Sequence, residues 1–260
     1  MNSSAPIRYN YTDPNNLSAA FLMFLMFLFG VYCNSIVIRN FIMNKSDRNA
    51  FSLICIFRAM VNLFILFVMF LGDYIPVTLY GATIYHNLIE SSIIVLSGSI
   101  YMGNEYLMVV IALNRFIALY YPIYYMNYCG MKPTLFVLIL CYLFRILRFV
   151  QDLVLFDFFE VCDLAYSAEY LFPIRKIVAP PCEPAPDGII NELSITLGIT
   201  VLVNFVTFLK IILFLKSPNA NTSDSKQKKN ALLFVQTVIQ DSLFIVDMYF
   251  TYRMMYDCYS

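Results

Sequence analysis

Apolar residues come in long runs separated by short polar stretches. From Leu17 to Ile38 no charged side chain interrupts them, and a helix needs about 20 such residues to cross a hydrocarbon core. Similar segments follow at 51–71, 88–113, 133–156, 189–215 and 231–252. The pattern predicts an all-α membrane protein of six spans. Residues 17–252 form its transmembrane helical bundle, between a polar N-terminus (1–16) and a short C-terminal end (253–260). No internal repeat, and no matched pair of glycine- or proline-broken spans, marks an inverted-repeat transporter.

The polar stretches alternate in sign. Those at the ends of odd-numbered spans hold Arg39, Lys45 and Arg48, then Arg115 and Lys132, then Lys210, Lys216, Lys226, Lys228 and Lys229. The opposite loops carry Asp73 and then Asp157, Glu160, Asp163, Glu169, Glu183 and Asp187, against only Arg175 and Lys176. The positive-inside bias therefore puts the N-terminus outside, where Asn10 of Asn10-Tyr11-Thr12 is the best glycosylation acceptor. The first residues lack the basic region of a cleaved signal. Two loops are sizeable: 157–188, acidic and outer, and 217–230, basic and cytosolic.

Composition agrees with a membrane protein and excludes several function classes. The chain is 60% hydrophobic and 13% charged, whereas soluble domains are about a quarter charged. Its zero net charge argues against a nucleic-acid partner. There is one histidine, His86, and no HExxH, CxxC pair or phosphate-cradling loop, so the reading is no enzyme, no cofactor and no metal. Asp241 and Asp247 are too poorly aligned on one helix to work as a carboxylate pair. Cys33, Cys55, Cys129 and Cys141 read as reduced thiols, while Cys162 and Cys182 share the outer loop, where a disulfide would contribute about 3 kcal/mol.

Charges inside spans are costly and therefore informative. Glu105 lies about 15 Å from Arg115 at ~1.5 Å per residue, and Arg58 or Arg145 would neutralise it in a buried charge network. Such a network serves either as glue between helices or as part of a ligand path. Glu90, Ser91, Asn191, Glu192, Asp247, Tyr249 and Tyr252, in the outer halves of spans three, five and six, suggest a small-molecule pocket. The same residue types also serve as interfacial anchors.

Four motifs carry a resemblance. NxxV (Asn34 to Val37), RAMVN (Arg58 to Asn62), NRF (Asn114 to Phe116) followed by YPIYY, and the lysine-rich loop before span six resemble a rhodopsin-like seven-helix receptor. The stretches FSLICIFRAMVN (51–62), YMGNEYLMVVIALNRFIALYYPIYY (101–125) and FVQTVIQDSLFIVDMYFTY (234–252) are similar to the nematode chemoreceptors called serpentine receptor class X. The resemblance implies a G-protein-coupled receptor in the plasma membrane of a sensory cilium, with a small environmental chemical and a heterotrimeric G protein as partners. Asn114, Arg115, Phe116, Pro122 and Tyr124 match the coupling region. A non-signalling membrane protein, such as a receptor remnant, an accessory subunit or a small-solute carrier, is the rival reading.

Departures from the superfamily pattern are specific. Asn114 stands where an acid usually precedes the arginine, Lys228-Lys229-Asn230 begins span six, Glu90 replaces the usual bridging cysteine, and Asn62 occupies the sodium-site aspartate position. Arg115 must then be restrained by something other than an acid. The family also implies a seventh span, and none follows Tyr252; the expectation is a truncated, poorly folding receptor bundle of six spans.

Overall fold

The computed structural model describes residues 13–44, 48–81, 84–155, 162–169, 171–177, 186–215, 242 and 246. Span six apart from Ser242 and Val246, together with Asn10 and Cys182, lies outside the described residues, and so do Asp247, Tyr249 and Tyr252. Five helices are long and apolar enough to cross a membrane: Pro14–Met43, Ala50–Tyr80, Leu88–Tyr120, Met131–Gln151 and Ser194–Leu213. The first three run past the ends at 38, 71 and 113 read from the sequence, the fourth stops short of 156, and the fifth lies within 189–215.

Helix α1 (Pro14–Met43) starts where Asp13 accepts a 2.9 Å hydrogen bond from the Asn15 amide, with Pro14 in the first turn, where a missing N–H costs nothing. At its other end Arg48 donates to the carbonyls of Phe41 and Ile42 at 3.0 and 2.9 Å, so this loop cation closes the helix terminus. Only Ala20 and Phe27 of α1 are buried, while Phe21, Met26, Phe29 and Tyr32 stay exposed. That exposure suits a face solvated by lipid rather than by water.

The second span differs from its sequence outline. It runs from α2 (Ala50–Ile65) through a π-helical stretch, Leu66–Tyr74, into α3 (Ile75–Tyr80). Asp73, expected in a polar outer loop, instead lies inside this continuous helix and is fully buried. The wider turn, in which the Ile75 amide donates to the Phe70 carbonyl, rotates the helix away from a 3.6-residue period. Pro76 cannot donate in the α register to Gly72, and the Tyr85 hydroxyl donates to that carbonyl at 2.5 Å. Gly81 ends the helix at φ +68°, a conformation that favours glycine.

The remaining elements are α4 (Asn87–Tyr120), α5 (Pro122–Tyr128), α6 (Met131–Leu155), strands β1 (Cys162–Ser167) and β2 (Phe172–Ile177), and α7 (Pro186–Leu215). The strands pair antiparallel, Cys162 opposite Ile177 and Ser167 opposite Phe172. The acidic loop therefore contains a hairpin that its proline content concealed. Lys210, grouped with loop cations by its charge, lies within α7. Among the described residues, Cys33, Cys55, Cys129 and Cys141 form no disulfide.

The chain divides into two compact units. The described residues of the first belong to 1–48, 52–104 and 138–184; those of the second to 49–51, 105–137 and 185–260. In the first, a chain of polar side chains links four helices. Asn62 donates to Asn34 at 3.4 Å, Asn104 donates to Asn62 at 3.5 Å, and Tyr142 donates to Asn104 at 3.3 Å. Asn34 in turn donates to the Gly30 carbonyl at 2.8 Å. Gly103 lets the Tyr142 ring approach, since a Cβ there would lie 2.7 Å from the ring.

This packing yields a graded pair of variants. Gly103→Ala should destabilise the protein by about 1–3 kcal/mol, because the buried ring must shift and its bond to Asn104 stretches. Gly30→Ala should cost less, because the clash at 2.8 Å is with the flexible end of Leu66. Thermal denaturation of the detergent-solubilised variants measures the difference. Equal midpoints would contradict the close-approach role of Gly103.

Candidate functional site

In the first unit, the end carrying the hairpin concentrates buried polar groups. Asp73 on the π-helical stretch, Thr78 on α3 and Glu90 and Ser91 in the first turns of α4 are all fully buried. His86 starts α4, its carbonyl accepting from the amides of Ile89 and Glu90 at 2.9 and 3.2 Å. That cap sets the rotation that turns Glu90 inward.

Tyr166 of β1 inserts into this cluster. Its backbone amide donates to Glu90 Oε1 at 2.8 Å, and its ring stacks on Tyr74 with centroids 4.2 Å apart. Its hydroxyl accepts from Thr78 at 3.4 Å and faces the Met23 sulfur at 3.9 Å. Burial pushes the Tyr166 hydroxyl up to about 12, the Thr78 hydrogen bond opposing this and the Asp73 charge adding to it. Val77 and Ile94 supply the apolar wall. Among the described residues neither carboxylate oxygen of Asp73 has a hydrogen-bond partner.

The sequence-level pocket is thus placed only in part. Glu90 and Ser91 are buried in the hairpin-end cluster. Asn191 and Glu192 fall on α7, but their side chains, like Asp247, Tyr249 and Tyr252, lie outside the described set. Asp73, Tyr74, Thr78, Tyr166 and Met23 were not anticipated. The usable signal was an acid three residues ahead of Pro76 in an otherwise apolar segment.

In the second unit, Glu105 is buried and accepts from the Thr196 hydroxyl of α7 at 3.5 Å. Arg58 and Arg145, both half-buried, belong to the first unit. One contact of Arg115 is aromatic. Its guanidinium lies 4.7 Å from the centre of the Phe51 ring, an attraction of about 0.5–2 kcal/mol depending on desolvation. Asn114 hydrogen-bonds the Tyr125 hydroxyl of α5, which burial pushes above the usual phenol range and this bond pulls back. Phe116 stacks on Tyr120 at 4.5 Å, Pro122 begins α5, and the exposed Tyr124 packs on Tyr128 at 4.7 Å.

Lys210 completes this end. Its ammonium donates to the Leu119 carbonyl at 2.9 Å and sits 3.8 Å from the centre of the Tyr120 ring, whose hydroxyl donates to the Val206 carbonyl at 3.1 Å. A cation on the last turn of α4 opposes the negative end of the helix dipole. A groove of about 440 Å³ runs along Tyr120, Tyr121, Pro122, Ile123, Tyr124, Asn127 and Tyr128. Among the described residues no cluster of metal-binding side chains occurs.

Comparison with known proteins bears on the whole arrangement. No curated protein matches the chain. The family described as serpentine type 7TM GPCR chemoreceptor Srx matches it over residues 24–257, which takes in both polar ends and the asparagine chain. The protein belongs to the serpentine type 7TM GPCR chemoreceptor family Srx.

Proposed function

We propose that this chemoreceptor detects a small environmental chemical at its hairpin end and couples to a heterotrimeric G protein at its Arg115 end. The reading puts the N-terminus outside the plasma membrane, with Asn10 glycosylated and the α4–α5 junction facing the cytosol. The single observation that carries it is the setting of Arg115. A guanidinium at the end of a spanning helix rests on Phe51, 4.7 Å from the ring centre, beside an Asn114 committed to Tyr125.

The mechanism follows from what each contact does. A guanidinium offers five donors in a planar fork, which suits Arg115 to bidentate contact with backbone carbonyls or a carboxyl group of the partner. The Phe51 ring holds its cation near the end of α4, and Asn114 beside it meets Tyr125 of α5, the helix that lines the groove from Tyr120 to Tyr128. Lys210 ties α7 to the last turn of α4, and ligand binding acts on this end only through differing affinity for two packings.

Two substitutions separate restraint from recognition. Phe51→Leu should raise ligand-independent signalling, by roughly 2- to 30-fold for the loss of ~0.5–2 kcal/mol. Arg115→Lys should keep the cation on Phe51 and lower signalling by an order of magnitude or more, because an ammonium lacks the planar fork. Both are read as second-messenger output per receptor at the cell surface. Output from both variants matching the parent would return Arg115 to the role of an interfacial cation.

A further inference from the structure

The hairpin end holds two buried carboxyl groups. Asp73 and Glu90 are each fully buried, and Tyr166 meets both sides: its amide donates to Glu90 at 2.8 Å and its ring stacks on Tyr74, next to Asp73 in the chain. Asp73 has no hydrogen-bond donor on either oxygen among the described residues. Two like charges out of water are unfavourable unless a proton or a cation offsets them.

The surroundings specify which cation is accommodated. Tyr74 and Tyr166 stack on each other at 4.2 Å beside the pair, each ring keeping one outer face. The Met23 sulfur lies against the Thr78 and Tyr166 hydroxyls at 3.8 and 3.9 Å, and Val77 and Ile94 form an apolar wall. A bare metal ion gains little from rings, a thioether and branched alkyl groups. A primary ammonium uses all of them: three N–H donors for the carboxylates, a charge for the ring faces, and an alkyl tail for the apolar wall.

We infer that Asp73 and Glu90, covered by Tyr166, bind the ammonium group of a small organic amine, with Asp73 as its principal counter-ion. This deepens the proposed function and rests on reading the hairpin end as the ligand end. Tyr166 is the movable part. It is held by one amide hydrogen bond to Glu90, one ring stack, two weak hydroxyl contacts and packing on Val77 and Ile94, so a ligand entering between the carboxyls displaces a hairpin rather than a helix.

The test uses the purified full chain in detergent, with thermal denaturation at constant ionic strength. Phenethylammonium chloride and propylammonium chloride are the probes, sodium chloride and the corresponding neutral alcohols the controls. The ammonium salts alone should raise the midpoint, a saturable stabilisation that follows ligand concentration. Asp73→Asn should weaken the apparent affinity at least tenfold and Glu90→Gln by less. Tyr166→Ala, which spares both carboxyls, should still respond to the amine and so covers the case in which an acid variant fails to fold. The inference is overturned by no amine response in the parent, by an equal response to sodium or the alcohols, or by an amine response unchanged in Asp73→Asn. Amine binding that depends on Asp73 but evokes no G-protein signal would support the site and overturn the receptor reading of this end. An amine-evoked signal unaffected by Asp73→Asn would overturn the site and support the receptor reading.

Discussion

A polar side chain inside a hydrocarbon layer finds its partners in the protein or leaves its hydrogen-bonding capacity unused. The first unit meets this requirement with a relay in which Asn34, Asn62, Asn104 and Tyr142 each serve the next, at 3.3–3.5 Å. No single bond in it is strong. Its value lies in orientation, since an amide that donates to one helix and accepts from another fixes the rotation of its own. Once α4 is fixed about its axis at Asn104, the residues of the first unit on the same helix, Glu90 and Ser91 among them, acquire definite neighbours.

Each unit uses its own part of α4. In the first, the helix presents Glu90 and Ser91 to a cluster completed by Asp73, Tyr74 and Tyr166. In the second, it presents Asn114, Arg115, Phe116 and Tyr120 to Tyr125, Phe51 and Lys210. The two clusters differ in chemistry: one gathers buried carboxyls and phenols, the other cations and aromatic rings. Where Asn114 leaves no acid beside it in the chain, the Arg115 guanidinium lies over a phenylalanine face.

Much of the fold was legible in the sequence because membrane spans announce themselves by length and apolarity. Asn34 and Asn62 were singled out within motifs, and the structure joins them directly. Asn104 and Tyr142 were not, because contacts between helices depend on rotation about each axis, which an apolar run does not record. Asp73 was misplaced for a related reason: the π-helical turn changes the period, so an acid that reads as loop becomes core. Lys210 was grouped with loop cations by charge alone, whereas its long apolar stem lets it lie within α7 and reach the end of α4. The hairpin escaped notice because five prolines between 157 and 188 suggest irregular chain, yet only Pro173 falls within either strand.

The central claim is that the Arg115 end engages a G protein. Its most direct measurement is guanine-nucleotide exchange on a purified heterotrimer by the full chain reconstituted in lipid nanodiscs, against empty nanodiscs and the Arg115→Ala chain. The account predicts exchange above the empty-disc rate by the parent chain and a return to that rate with Arg115→Ala. Exchange by the parent no faster than empty discs, across the principal classes of Gα subunit, would contradict it.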